Sequence, residues 1–288
     1  MVTPFAGSGD VDATGFRRNV RAHLAAGVSG IVVTGSTGEA ALLDDAERNA
    51  LVEAARQEVA SDRILLVGTG SESTRATTAR TRAAAERGAD GVLVVAPHYY
   101  GDAMTPDALI DHYTRVADES PVPVLLYNIP KYMHFSLPPD VVAVLARHEN
   151  IVGMKDSSGD AALMSGYLQS QGDQFSVLTG NGAFLGEALR MGACGGVVAT
   201  SLFAPEQTLD VWRADERGDA AATVRAQELL TPLAKRIVGG MGVAGIKAAL
   251  DRTGLAGGLP RPPLRPLGAA ARAVLEELMR AAVLVPVA

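Results

Sequence analysis

The 288-residue chain, 48% apolar and 20% charged, has a globular rather than disordered composition and length for one large domain. A net charge of -6 gives no electrostatic footprint for nucleic acid or an anionic membrane, so neither is expected as a partner. The single cysteine, Cys194, excludes an intramolecular disulfide framework and suits the cytoplasm, the expected location.

No basic region precedes an apolar core at the amino terminus, so no secretory signal is expected, and no apolar run approaches the roughly 20 residues that span a bilayer. Met1-Val2-Thr3-Pro4-Phe5 begins almost at a proline-marked strand end, which leaves little chain for a first strand; the native product is expected to begin upstream. Residues 2–5 are still read as strand one, ahead of a helix over 12–26. From Gly30 two textures alternate. Short β-rich apolar runs fall at 30–34, 64–67, 92–95, 122–127, 151–154, 175–178 and 196–199. Longer Ala-, Glu- and Arg-rich amphipathic stretches lie between them, at 44–60, 73–87, 106–119, 138–147 and 183–191, with a last one at 205–217. Apolar strands covered on both faces and separated by helices imply a parallel sheet. Eight such units predict an α/β fold, a (β/α)8 TIM barrel over residues 1–217. A doubly wound open sheet is the alternative.

Three copies of Gly-x-x-Gly precede strands: Gly27-Val28-Ser29-Gly30, Gly88-Ala89-Asp90-Gly91 and Gly192-Ala193-Cys194-Gly195. The first glycine fits a left-handed helix cap and the second a tight turn, so these are structural. After Arg217 only helices are expected, at 219–238, 242–253 and 267–282, forming a carboxy-terminal extension over 218–288 packed on the barrel.

In such a barrel functional groups gather at the carboxyl ends of the strands. There the sequence places Gly35-Ser36-Thr37-Gly38-Glu39, Pro97-His98-Tyr99-Tyr100, Tyr127-Asn128-Ile129-Pro130, Lys155, Thr179-Gly180-Asn181-Gly182 and Thr200-Ser201. The stretch Ile151-Val152-Gly153-Met154-Lys155-Asp156-Ser157-Ser158-Gly159 carries an amine out of an apolar interior. An amine taken out of water is disfavoured as the ammonium, and the free amine forms a Schiff base with a ketone. The bland alternative is a lysine emerging into solvent. Gly35–Glu39 lacks both the P-loop and dinucleotide patterns, and suits either a small anion or a plain helix cap. Tyr127 ends an otherwise apolar strand, where a core tyrosine bonded to a carbonyl is the ordinary case. Five histidines show no metal-ligand spacing; His98, His134 and Asp156 are a set that the barrel mouth could gather, but no metal is expected.

Taken together and in order, these motifs resemble the dihydrodipicolinate synthase / N-acetylneuraminate lyase family of class I, lysine-dependent pyruvate aldolases. The resemblance runs from Thr3-Pro4-Phe5 to the carboxy-terminal helices. It implies that Lys155 condenses with the ketone of pyruvate or another 2-oxo acid, and that Tyr127 shuttles protons. It implies further that Ser36 and Tyr99 complete the relay, Tyr99 reaching in from a neighbouring subunit. Ser36, Thr37, Gly180 and Ser157 are the expected substrate-binding residues. An iminium supplies the electron sink, so no diffusible cofactor is expected. The partners implied are pyruvate, an aldehyde, and further copies of the chain in a dimer, or a homotetramer built as a dimer of dimers.

The second substrate turns on a departure. The synthases carry an arginine shortly after Tyr-Asn-x-Pro; here Tyr132 stands at that position within Lys131-Tyr132-Met133-His134. An aromatic ring does not replace a bidentate guanidinium. Gly70-Ser71-Glu72-Ser73-Thr74 and the region around His112-Tyr113-Thr114 look closer to 4-hydroxy-2-oxoglutarate aldolases, and cleavage of that substrate to pyruvate and glyoxylate is the sequence-level preference. The alternatives are a 4-hydroxy-tetrahydrodipicolinate synthase, a 2-keto-3-deoxy sugar-acid aldolase or dehydratase, and a non-enzymatic barrel that binds a 2-oxo acid without turnover.

Overall fold

The structure, a computed structural model, describes residues 1–282 and residue 284; the last part of the expected extension, 283 and 285–288, lies outside the described residues. The chain forms two compact units, one of residues 66–197 and the other of residues 1–65 with the described residues from Val198 onward.

Seven strands are found among the described residues: β1 Gly30–Val33, β2 Ile64–Gly68, β3 Gly91–Val95, β4 Val124–Asn128, β5 Ile151–Asp156, β6 Ser176–Thr179 and β7 Gly195–Gly196. Their order in the sheet is their order in the sequence. Helices separate them, including Asp45–Arg56, Thr74–Glu86, Pro106–Asp118, Ala161–Leu168 and Leu185–Met191. Sequential parallel strands with intervening helices are the repeat of an α/β TIM barrel. The expected first strand is not one: residues 2–5 make no ladder. Instead the Met1 amine donates to Val32 O, and Phe5 forms an isolated antiparallel bridge with Val11. Pro4 has no N–H to give a ladder, which accounts for the difference.

Within the unit of residues 66–197, β4 is buried along its whole length, as a strand covered on both faces must be. Its pairing with β5 contains one irregularity. Val124 partners Ile151, but Leu125 partners Gly153, so one residue of β5 is passed over. The bulge advances β5 by one position and sets Lys155, rather than Met154, beside Tyr127. On its other side β5 lies close to β6, where Gly153 is needed: a Cβ there would lie 2.5 Å from Ser176 O.

In the other unit, the Gly-x-x-Gly reading holds in part at Gly27–Gly30. Gly27 has φ +95, the expected left-handed cap, whereas Gly30 serves close approach, since a Cβ there would lie 2.5 Å from Ile64 O. The carboxy-terminal helices differ from expectation. Gly239 and Gly240 do not break the helix; the α-helices Ala220–Pro232 and Gly242–Arg252 are joined by a π-helical segment, Leu233–Met241. The resulting 33-residue helix is long and apolar enough by composition to cross a membrane, contrary to the sequence reading. Its buried residues Leu233, Ile237, Ile246 and Leu250 instead pack with Val2, Leu202 and Phe203 in one hydrophobic cluster.

Candidate active site

β4 and β5 end together and carry the two expected catalytic side chains. Tyr127 and Lys155 are register partners, and Lys155 Nζ lies 4.5 Å from the centroid of the Tyr127 ring. Tyr127 is buried at 5% exposure, while Lys155 is half-buried. The ring face bears partial negative charge and attracts the amine in its protonated form. Beyond β6, Gly180 closes in from the neighbouring strand: a Cβ there would stand 2.0 Å from Ser157 Oγ and 2.5 Å from Lys155 Cε. Lys155, Tyr127, Ser157 and Gly180 are therefore brought together within one unit.

Beneath this group is a buried polar pair that sequence reasoning did not single out as such. Asp156 is fully buried, accepting from Asn128 Nδ2 at 2.7 Å, Ser158 N at 3.1 Å and Ser158 Oγ at 2.6 Å. Burial pushes its carboxyl above the usual carboxylate range, and the Ser158 and Asn128 hydrogen bonds oppose that rise. Asn128 Oδ1 accepts from Leu137 N at 3.0 Å, and Ser157 N donates to Asn128 O at 2.8 Å. The loops after β4 and β5 are thus pinned by one carboxamide–carboxylate contact. The signal was in the sequence: polar residues directly follow Tyr127 and Lys155, at buried strand positions.

Tyr99 lies in the same unit but is 77% exposed, stacked edge-on against the equally open Tyr100 at 5.0 Å between centroids. Glu72 holds its backbone, Oε2 accepting from His98 N at 2.9 Å and Tyr99 N at 2.8 Å. Nearby, His112 is buried with its Nδ1 against Thr74 Oγ1 at 2.9 Å, and among the described residues its Nε2 has no hydrogen-bond partner. Tyr132 is 41% exposed on a one-turn helix, Pro130–Met133, with Lys131 Nζ 5.8 Å from its ring centroid. Burial pushes the Tyr132 phenol up, and the Tyr127 phenol adds to the effect.

Ser36 and Thr37 belong to the other unit, in a 3-10 turn over Ser36–Gly38 entered from the extended Gly35. The next residue, Glu39, is buried and bonded to Lys247 and Arg261, two cations that sequence reasoning missed. A lysine inside the mainly apolar stretch of Gly242–Arg252 was the available signal. Among the described residues no three of His, Cys, Asp and Glu gather as a metal-binding group; His98 is engaged by Glu72 and Asp156 by Asn128.

A family model described as the dihydrodipicolinate synthetase family matches residues 1–282. The chain belongs to that family. It is accordingly a class I, Schiff-base lyase of the aldolase type. The 4-hydroxy-tetrahydrodipicolinate synthase of Methanospirillum hungatei JF-1 is 34% identical over 267 residues, covering 92% of this chain and 91% of the relative. That of Methanothrix thermoacetophila is 35% identical over 283 residues, covering 97% and 94%. Among solved family structures, dihydrodipicolinate synthase DapA-2 of Bacillus anthracis superimposes with a TM-score of 0.93 at 31% identity, covering 98% of this chain and 96% of that one. YagE, a family protein of E. coli K12 solved with pyruvate, gives 0.92 at 29% identity, again over 98% and 96%. The likeness establishes the (β/α)8 TIM barrel with its carboxy-terminal helical extension. None of these relatives is named as a 4-hydroxy-2-oxoglutarate aldolase, so that sequence-level preference gains no support from them; the synthase alternative shares their name.

Proposed function

We propose that the chain joins or cleaves a C–C bond next to a pyruvate unit held as an iminium on Lys155. The observation that carries this reading is Lys155 Nζ lying 4.5 Å from the centre of the Tyr127 ring. Lys155 attacks the ketone carbon of pyruvate, the carbinolamine loses water, and the iminium drains electrons from the adjacent methyl group. Tyr127 takes a methyl proton to give the enamine, which attacks an aldehyde; run backwards, the same steps cleave the aldol. A phenol is a poor base in water, so the relay needs the further hydroxyls of Ser36 and Tyr99, roles supported by the family motif. Ser157 and Gly180, against the Lys155 stem, hold the 2-oxo acid, and the family motif assigns the same task to Ser36 and Thr37. Tyr99 and Tyr100, open and edge-stacked, suit a contact with a second copy in a homo-oligomer. The cytoplasm would keep Cys194 reduced.

For the second substrate, condensation of pyruvate with aspartate semialdehyde is the first reading, supported by the names of the relatives. Cleavage of 4-hydroxy-2-oxoglutarate is the second, favoured by Tyr132 in place of a guanidinium. Borohydride reduction in the presence of pyruvate should leave a stable adduct on Lys155, located by peptide mass. An adduct of the same yield in Lys155→Ala would sink the assignment. Initial rates with the two substrates, and with 2-keto-3-deoxy sugar acids, rank the readings.

A further inference from the structure

The ladder between β4 and β5 ends on the pair Asn128–Asp156, one step past Tyr127–Lys155. Side chains alternate along a strand, so Asn128 and Asp156 point to the face of the sheet opposite the phenol and the amine. On that face they belong to a closed circuit of hydrogen bonds. Asn128 Nδ2 donates to Asp156 Oδ1, Asp156 Oδ2 accepts from Ser158 Oγ, and Ser158 Oγ accepts in turn from Asp160 N at 3.1 Å. Asp160 caps the helix Ala161–Leu168, its Oδ1 accepting from Ala162 N at 2.8 Å and Leu163 N at 3.0 Å. From the same helix the Tyr167 hydroxyl donates to Leu137 O at 2.7 Å, and Leu137 N donates to Asn128 Oδ1 at 3.0 Å, which returns the circuit to its start. Asn128, Leu137, Asp156 and Tyr167 are all buried, and every member lies in the unit of residues 66–197.

Packing a helix on a sheet asks for none of this. Apolar side chains fill such a layer without the cost of taking a carboxyl and a carboxamide out of water. What they do not supply is a directional bond between two strand ends, and a polar network with every member satisfied gives a rigid, single arrangement. The backbone of the same two residues adds two more ties. Asn128 O accepts from Ser157 N at 2.8 Å, and Asp156 O accepts from Gly180 N at 2.5 Å, just past the end of β6. The ends of three neighbouring strands are thus fixed at the two residues that directly follow Tyr127 and Lys155.

We infer that Asn128 and Asp156 are positioning residues: from the far face of the sheet they hold the ends of β4 and β5 so that the Lys155 amine keeps its place beside the Tyr127 phenol. The inference rests on the Schiff-base reading above.

The test uses the full-length protein and reads the rate at which borohydride-trapped adduct forms on Lys155 at saturating pyruvate. Thermal unfolding is measured beside it, and the assay temperature is one at which circular dichroism shows each variant folded. Asn128→Ala removes the donor to Asp156 and the acceptor for Leu137 N. Its adduct should form about 100-fold more slowly, the penalty for a nucleophile displaced by about an ångström. Tyr167→Phe opens the same circuit on its far side, and should lower the melting temperature while leaving the adduct rate at the wild-type value. Asp156→Asn keeps an acceptor for Asn128 Nδ2 and Ser158 N and a polar partner for Ser158 Oγ, so most of the rate should remain. If folded Asn128→Ala forms adduct as fast as Tyr167→Phe, the circuit is structural only and the inference is overturned. A loss in Asp156→Asn as large as that in Asn128→Ala would place the effect in the charge rather than in the bonds, and overturns it as well. Should Asn128→Ala not fold, Asn128→Ser takes its place under the same criterion, because its hydroxyl ends one bond short of both partners. If the wild-type protein gives no adduct with pyruvate, the Schiff-base reading itself fails and takes this one with it.

Discussion

Lys155 and Tyr127 face each other across two parallel strands because β5 passes over one residue between Ile151 and Gly153. Continued in simple register from Val124–Ile151, Tyr127 would stand beside Met154, and the amine would follow the alternation of the strand to the other side. The bulge and the pairing of amine and phenol are one feature.

The phenol of Tyr127 and its ring are separable. Tyr127→Phe keeps the ring beside Lys155 Nζ, so the protein should fold and pyruvate should still be trapped by borohydride. Turnover should drop by about 100- to 10,000-fold, the usual share of a positioned acid–base group. Steady-state rates beside trapped mass decide it; unchanged turnover would remove Tyr127 from the proton relay.

Gly180 is held to glycine by what it touches. A Cβ would stand 2.0 Å from Ser157 Oγ and 2.5 Å from Lys155 Cε, so in Gly180→Ala the lysine stem must move. A shift of the nucleophile by about an ångström is expected to lower the second-order rate of adduct formation about 100-fold. Circular dichroism should stay native, because the clash falls on side-chain ends. A trapping rate equal to wild type would show that the stem has room to spare.

His112 makes stability depend on pH. Burial lowers its pKa from 6.5 to about 4, with Glu72 pulling the other way. Between those two values the unfolded chain binds a proton that the folded chain excludes. This contribution is therefore complete above pH ~6.5 and is lost as pH falls toward ~4, at about 1.4 kcal/mol per unit of displacement at most. His112→Phe keeps an aromatic ring beside Tyr113 and removes the titration. Urea unfolding at pH 7 and pH 4.5 should show a smaller loss for the variant than for wild type; equal losses would mean that His112 titrates normally.

The frame and the amine were legible in the sequence because each rests on a local signal. Apolar runs alternating with amphipathic ones gave β3, β4 and β5 within a few residues, and Lys155 stood out as a cation ending an apolar strand. The bulge was not legible, since it is a matter of register between β4 and β5 and no residue of either strand marks it alone. Nor was the grip of Lys247 and Arg261 on Glu39, which joins residues more than 200 positions apart. The missing first strand follows from Pro4, a local signal already present in the sequence, whereas the helical path through Gly239 and Gly240 was not legible. The gap left between the expected helices fell at Gly239-Gly240, and a π-helical segment carries the chain through it.

Tyr132 is the remaining lever on specificity. It stands where the synthase pattern has arginine, half-exposed, its phenol pushed up by burial and by the neighbouring Tyr127. Tyr132→Arg would introduce a planar pair of donors for a second carboxylate. If the chain selects against a carboxylated aldehyde through this ring, the variant should gain about tenfold in kcat/KM for condensation with aspartate semialdehyde, the worth of one added charge-assisted bond. Its rate with glyoxylate should hold or fall. Competition between the two aldehydes in one reaction, resolved by product mass, measures the ratio directly. A ratio unmoved by the arginine would assign the choice of aldehyde elsewhere, with Lys131 the next residue to replace.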